Sequence, residues 1–338
     1  MDIERVDPRD DGAFADWYAV VEAAERDSRP DEAGYTAQEL RVAALEARDP
    51  DRDADVVLLA ARDGRRTVGA AQLSLPVRDN LHLCELELLV HPRQRCRGTG
   101  RALLAEAERL LAEAGRTTVL TYSDEPPGRP SPASQGAGKS LGFVRSQSEV
   151  RRDIALPLPP ELVVPLEAAT APHAQAYALV TWRDGVPDAL LEDLALLHQR
   201  MSTDVPLADL EITEESFDGA RVRRQERRAR DAGRMLIGGG AVHRETGALV
   251  AYTDMAVSPA HPDQAYQWNT IVLREHRGHR LGMLVKLVAL QRLSREVPDA
   301  RLISTWNARE NAPMIRVNED LGARTNGEGV AWQKRVSR

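Results

Sequence analysis

Aromatic side chains are scarce in this chain: three Phe, five Trp and six Tyr make up 4% of 338 residues. So few rings leave little on which the bases of a single-stranded nucleic acid could stack. Positive charge is not in excess either. The formal net charge is −7, whereas a nucleic-acid-binding surface calls for a basic face. No apolar run approaches the roughly 20 residues that span a bilayer. The opening Met1-Asp2-Ile3-Glu4 is acidic and lacks the apolar stretch of a secretory signal. Only Cys84 and Cys96 are present, too few for a disulfide framework in a chain of this length. These absences lead to the expectation of a cytoplasmic protein with no nucleic-acid and no membrane partner. They leave the oligomeric state open.

What is there is ordinary for a globular chain, with 42% hydrophobic and 29% charged residues. The length predicts two domains, each large enough for its own core. The stretch from Leu86 to Ala114 organises the first half. Leu86 to Val90 has the length and apolar content of a strand. Pro92 has no N–H to donate and ends the ladder. Arg95 to Gly100 forms a basic, glycine-bearing turn. From Arg101, the residues Leu103, Leu104, Ala107, Leu110 and Leu111 recur at helical spacing, and Gly115 stops the helix. A turn feeding a helix N-terminus aims unpaired backbone N–H groups outward, and the helix dipole and arginines add positive potential. That is the logic of a phosphate cradle. The spacing excludes two common phosphate loops. A dinucleotide fingerprint needs a third glycine at Leu103, and no GxxxxGK is present. The plainer reading is a helix start with glycines for packing.

The same construction recurs. Thr270 to Leu273 reads as a strand, Arg277-Gly278-His279-Arg280-Leu281-Gly282 as the turn, and Met283 to Leu293 as the helix. Arg277 lies 182 positions after Arg95, and Gly282 lies 182 after Gly100. A repeat near half the chain length means duplicated domains, since solenoids repeat every few tens of residues.

Arg95-x-x-Gly98-x-Gly100, set between a strand and a helix, resembles the pyrophosphate loop of the GNAT N-acetyltransferases. Its recurrence extends the resemblance over essentially the whole chain, as a tandem GNAT protein of the kind common in actinobacteria. The resemblance implies an α/β (α+β) fold of two domains, each a mixed, mostly antiparallel sheet flanked by helices. It implies acetyl-CoA as acyl donor, and as partner a primary amine of a small molecule or peptide that attacks the thioester directly. In the first copy it places the cofactor against Leu88, Leu89, Val90, Arg95, Cys96, Arg97, Gly98, Thr99, Gly100 and Arg101. In the second it places it against Thr270, Ile271, Val272, Arg277, Gly278, His279, Arg280, Leu281, Gly282 and Met283. Arg280 stands where the first copy has Gly98. A side chain there is expected to narrow the approach to the backbone while adding a cation. Two other readings remain: one catalytic domain with a degenerate partner, or a non-catalytic acyl-CoA-binding module.

Amine acylation needs a base, because an ammonium has a pKa of about 10. Glu85 and Glu87 lie two apart on the strand before the first cradle and so share a face. They are candidate bases, or else a solvated strand face. By the 182-residue offset Gln267 and Asn269 take their places in the second copy, and Asp254 on the neighbouring strand is the nearest carboxylate. His261 reads as an exposed loop residue. The resemblance also implies a helix after the next strand that carries an asparagine touching the cofactor and a tyrosine acid. In the first copy Ser123 to Gly138 is Pro- and Gly-rich, with Gly138 at the tyrosine position. In the second, Asn307, Asn311, Met314 and Asn318 are expected to line that helix. Asn311 is expected to touch the pantetheine arm, and Asn318 replaces the tyrosine. The second copy is therefore favoured for catalysis.

The remaining elements follow from pattern. Ile3 to Val6, Val56 to Ala61, Val68 to Leu75, Leu81 to Val90, Thr117 to Tyr122 and Val150 to Ile154 read as the strands of the first domain. Phe14 to Ala24 and Thr36 to Glu46 read as helices, the latter with a Thr36/Glu39 capping box. The proline-rich 156–172 reads as an extended linker between domains at 1–155 and 173–338. Beyond it, Thr213 to Asp231 reads as a helix crowded with arginines. They make either a solvated face or a surface attracting an acidic ligand.

Overall fold

The computed structural model describes residues 1–30, 32–204 and 208–336. In chain order the elements begin with β1 (Asp2–Val6), α1 (Asp11–Ser28), α2 (Ala37–Glu46), β2 (Ala54–Asp63), β3 (Arg66–Pro76) and β4 (Leu83–Val90). Next come α3 (Thr99–Glu113), β5 (Thr118–Glu125), α4 (Gly138–Ser140), β6 (Val144–Ala155), α5 (Pro160–Thr170) and β7 (Tyr177–Arg183). The chain continues with α6 (Leu191–Asp204), α7 (Gly219–Asp231), β8 (Met235–His243), β9 (Leu249–Val257) and β10 (Gln264–Val272). It closes with α8 (Leu281–Glu296), β11 (Leu302–Ala308), α9 (Ala312–Asp320) and β12 (Arg324–Arg335). Among the described residues no helix is long and apolar enough to cross a membrane, and no cluster of His, Cys, Asp and Glu could hold a metal ion.

The chain forms two units. One comprises Met1–Ser148, Ala208–Ile212 and Gly327–Arg338; the other comprises Glu149–Leu207 and Thr213–Asn326. The sheet of the first runs β1-β2-β3-β4-β5-β12, antiparallel except for the β4–β5 pair. The sheet of the second runs β7-β8-β9-β10-β11-β6, antiparallel except for β10–β11. Both are mixed, mostly antiparallel sheets covered by helices on both faces, as the α/β expectation requires.

Local chemistry sets these elements. Asp10 caps α1, accepting from Ala13 N at 3.0 Å, and Thr36 with Glu39 closes the expected capping box on α2. Phe14, Trp17, Val20 and Val21 of α1 bury with Leu40 of α2 against one face of the first sheet. Leu103, Leu104, Ala107, Leu110 and Leu111 of α3 bury against the other. In the second unit α6 and α7 cover one face, and α8, with α5 beside it, covers the other.

Three expectations change. Residues 150–154 do form a strand, but it does not close the first sheet. β6 pairs with β11, from Leu302–Ala155 to Ala308–Glu149, and β12 from the end of the chain pairs with β5 instead. The last strands of the two copies are each 12 residues long, so local pattern could not say which sheet each completes. The 156–172 segment is not an extended linker, since residues 160–170 form α5. Pro160 sits in the first turn, where a missing N–H costs nothing, and Leu156, Leu158 and Leu166 pack into the second core. α7 begins at Gly219 rather than Thr213, because Asp218 accepts from Arg221 N at 2.7 Å, a true N-cap.

Val330 and Trp332 of β12 are part of the first unit's core. Burying one such side chain is worth about 1.5–3 kcal/mol, against a net domain stability of about 5–15 kcal/mol. A fragment spanning 1–155 should therefore melt broadly or not fold. Supplying residues 324–338 as a peptide should restore a cooperative transition in circular dichroism. A fragment that melts cooperatively without the peptide would contradict the exchange of strands.

Candidate active site

The parallel pair in each unit is short. β4 meets β5 only at Leu83–Thr118, Cys84–Val119 and Glu85–Leu120, and β10 meets β11 only at Gln264–Leu302, Ala265–Ile303 and Tyr266–Ser304. Beyond those pairs the strands part. Leu88, Leu89 and Val90, and Thr270, Ile271 and Val272, lie in the parted lengths. Their backbone groups on that side have no strand partner and are open to an extended ligand.

Each parted strand runs into a short turn of 3-10 helix, Pro92–Gln94 or Arg274–His276, and then into the long helix α3 or α8. The loops share a conformation through different residues. Cys96 and Gly98 are left-handed, at φ 61° and 87°; 182 positions later Gly278 and Arg280 are left-handed, at 88° and 52°. Glycine takes that region freely, and another residue pays about 1–2 kcal/mol. The two copies have placed their one tolerant glycine at opposite ends of the same bend. Gly98 and Arg280 are the N-caps, and neither helix is capped by a side chain, so the leading N–H groups of both remain for an anion, although Met283 N of α8 already donates to the Arg280 carbonyl at 3.1 Å. A Cβ at Gly98 would meet nothing within 4 Å. The side chain of Arg280, at the matching position, therefore meets no crowding from the protein itself. Gly100 lies against Val90 and Gly282 against Val272, as the duplication requires. Arg97, Thr99 and Arg101 accompany the first bend, and His279, Leu281 and Met283 the second. Arg95 pairs with Asp27 of α1 at 2.6 Å, and Arg277 with Asp204 of α6 at 2.6 Å.

The faces under the first helices differ. In the first unit Glu87 pairs across the sheet with Gln72 and faces α1, while Glu85 stands exposed. Arg29, the C-cap residue of α1, donates to Asp124 of β5 at 2.8 Å and to Glu25 at 3.0 Å. Burial raises the Glu87 carboxyl above its usual range, opposed by Arg29 and reinforced by Asp124. Burial likewise pushes Glu25 up to about 7. This is a dense ion network around the candidate base.

In the second unit the cross-strand pair is Asn269 with Asp254. Carboxylate and amide have exchanged strands between the copies. A register shift between Gln267 and Asn269 leaves Trp268 as an extra residue on β10. Ala265 accordingly packs with α8, while Ile271, an even number of residues on, packs with α6 and α7. Asn269 thus matches Glu87, but Gln267 does not match Glu85. It is turned to the opposite face, where it donates to Thr253 Oγ1 and to the Asp254 carbonyl, both at 2.7 Å. Asn269 reaches Asp254 Oδ2 at 3.4 Å, and Asp254 Oδ1 is buried with no partner among the described residues. Burial pushes the Asp254 carboxyl up to about 7. Tyr252, two residues away on the same face, has a buried hydroxyl that is also unpartnered. His198 of α6 packs against Tyr252 and Phe217, with ring centroids 5.2 and 5.1 Å away. Burial, aided by Arg221, lowers its pKa to about 4 and keeps it neutral at physiological pH.

The sequence reading missed His198 and Tyr252. His198 falls on the apolar stripe Leu194, Leu197 and Met201 of α6, which marks it as facing the sheet. Arg221 of α7 is buried rather than solvated, over the Phe217 ring at 4.1 Å. Asn311 caps α9 through its Oδ1, and Asn307 is on β11 rather than on the helix.

An Asp whose folded pKa is raised holds its proton more tightly in the folded protein. Its contribution to stability therefore falls as pH rises from about 4 through about 7. The stability gained by Asp254→Asn should grow across that window, by an amount on the order of a few kcal/mol, and level off above it. Chemical denaturation at a series of pH values reads this directly; a pH-independent difference would mean that Asp254 titrates normally.

Residues 16–130 match the acetyltransferase (GNAT) family. No curated protein matches the chain. Among solved structures it is similar to a tandem GNAT protein from the clavulanic acid biosynthesis pathway. The identity is 29%, the alignment covers 100% of this chain and 99% of that one, and the TM-score is 0.80. A GCN5-related N-acetyltransferase from Sphaerobacter thermophilus shares the fold at 16% identity, over 100% of this chain and 96% of that one, with a TM-score of 0.62.

Proposed function

Since the chain is a tandem GNAT protein and an acyltransferase, we propose that its second unit transfers an acetyl group from acetyl-CoA to a primary amine, with Asp254 as the base. In this reading the first unit is the degenerate partner. The observation that carries the proposal is the Asp254–Asn269 pair. It sets a carboxyl poised near neutral pH, with one oxygen buried and unpartnered, beside the parted β10. A base works best when its pKa lies near the working pH. Glu87, its rival, is held in the Arg29–Glu25–Asp124 network, where the guanidinium offsets its charge.

The acceptor nitrogen forms a bond to the acetyl carbon, and the carbon–sulfur bond breaks with its electron pair on sulfur. The proton shed by nitrogen goes to Asp254. Backbone N–H groups of the parted β10 near Ile271 and Val272 stabilise the oxyanion. The leading N–H groups of α8, with Arg277 and Arg280, hold the pyrophosphate.

Thiol release from acetyl-CoA over a panel of small amines and amine-bearing peptides tests the reading. The kcat/KM should rise with pH along a limb near 7. Asp254→Asn should lower turnover at least 100-fold and abolish that limb, while Glu87→Gln leaves turnover within about twofold. Loss in Glu87→Gln with none in Asp254→Asn would move the chemistry to the first unit. Binding of CoA without thiol release to any amine would leave an acyl-CoA-binding module.

A further inference from the structure

Lys286 lies in the middle of α8, surrounded on that helix by the buried Met283, Val285, Leu287, Ala289 and Leu290. It is 1% exposed, and its hydrogen bond is from Nζ to Asn318 Oδ1 at 2.7 Å. No carboxylate bonds to it among the described residues, and burial lowers its pKa to about 7. An unpaired buried ammonium is costly to a fold. The duplication shows that the helix does not need it. The offset that sets Gly100 on Gly282 sets Leu104 on Lys286, and Leu104 is a buried core residue of α3.

The bond continues outward. Asn318, 0% exposed on α9, donates from Nδ2 to Asn307 Oδ1 at 2.6 Å. The oxygen of Asn318 faces Lys286 and its NH2 faces Asn307, the orientation that the charged form of Lys286, which can only donate, requires. The oxygen of Asn307 is then occupied, and its NH2 is left to point away. Asn307 is half-buried on β11, three residues past Ser304, where β11 has parted from β10. The relay therefore begins at a buried cation and ends at an amide donor beside the open strand edge.

We propose that Lys286 is a positioning residue which, acting through Asn318, fixes the Asn307 amide to donate to a carbonyl of the acyl donor's pantetheine arm in the second unit. This rests on the reading of that unit as the acyl-donor site. A hydrogen bond of fixed direction to a carbonyl of the arm holds the thioester in register for attack, which is the geometric demand of acyl transfer. The first unit, with Leu104 in the helix and Gly138 in place of Asn318, has no such relay.

The test uses the full chain carrying Gly100→Asp, which silences the first cradle, and calorimetry with two probes. Acetyl-CoA has the arm; 3′,5′-ADP has only the nucleotide end. Lys286→Met should weaken acetyl-CoA about tenfold and leave 3′,5′-ADP within twofold. Asn307→Ala should do the same, and the double variant should be no worse than either single one. Lys286→Leu, the residue the duplicate uses, serves as the second variant should the methionine variant fail to fold. Equal weakening of both probes would mean a structural role and overturn the proposal, as would additive losses in the double variant or no loss at all. If the Gly100→Asp parent binds neither probe, the reading of the second unit as a donor site fails, and the relay with it. Parent binding that Lys286→Met leaves unchanged sinks the relay alone.

Discussion

Each unit depends on a parallel strand pair that stops after three residue pairs. A parallel ladder left unfinished in the middle of a sheet strands a row of backbone donors and acceptors, which a fold tolerates only where water or a ligand can reach them. Here the parted length of β4 or β10 leads directly into a left-handed bend and the uncapped N-terminus of α3 or α8. Strand edge and helix start thus form one site with unpaired N–H groups at each end, while N–H groups of the bend between them, such as those of Gln94 and His276, are already bonded. The two ends of the site suit different parts of one ligand: an anion at the helix, an extended chain of amides along the strand.

The two copies keep that frame and differ in what hangs on it. The bend is preserved while its glycine moves from the second left-handed position to the first. The cross-strand carboxylate–amide pair is preserved while its members change strands, from Gln72–Glu87 to Asp254–Asn269. The copies also differ in how their buried charges are paired, although each leaves one oxygen of its cross-strand pair, Gln72 Oε1 or Asp254 Oδ1, buried and unpartnered among the described residues. In the first, Arg29 draws Glu25 and Asp124 into a closed network beside Glu87. In the second, the Asp254 and Tyr252 oxygens and the Lys286 ammonium are buried with few or no partners. Uncompensated buried polar groups are expensive, and proteins keep them mainly where chemistry uses them.

The bulge at Trp268 shows how one residue redirects a site. Without it Gln267 and Asn269 would share a face, as Glu85 and Glu87 do. With it Gln267 goes to the α8 side and ties β10 to β9 through Thr253 and the Asp254 carbonyl. That anchoring leaves Asn269 alone beside Asp254. Constant-offset matching of the copies carries through the cradle loops and fails at the bulge, because a bulge shifts register without changing the sequence spacing on either side.

The sequence by itself determined the duplication and the strand–bend–helix construction of both copies, with Gly98, Gly100, Gly278 and Gly282 in or at the end of the bends. These are local signals, set by glycine conformational freedom, helical periodicity and spacing along the chain. It also put Asp254 forward, as the nearest carboxylate on the neighbouring strand once Gln267 and Asn269 stood in place of Glu85 and Glu87. Only the tertiary structure decided which sheet each final strand completes, because β6 and β12 are equally long and pairing choice is a long-range matter. Only it turned the prolines of 160–170 into a helix, since burial of Leu156, Leu158 and Leu166 outweighs local stiffness. And only it joined Lys286, Asn318 and Asn307, or His198 and Tyr252. Those residues are distant in sequence, and the meaning of each lies in the partner that burial gives or denies it.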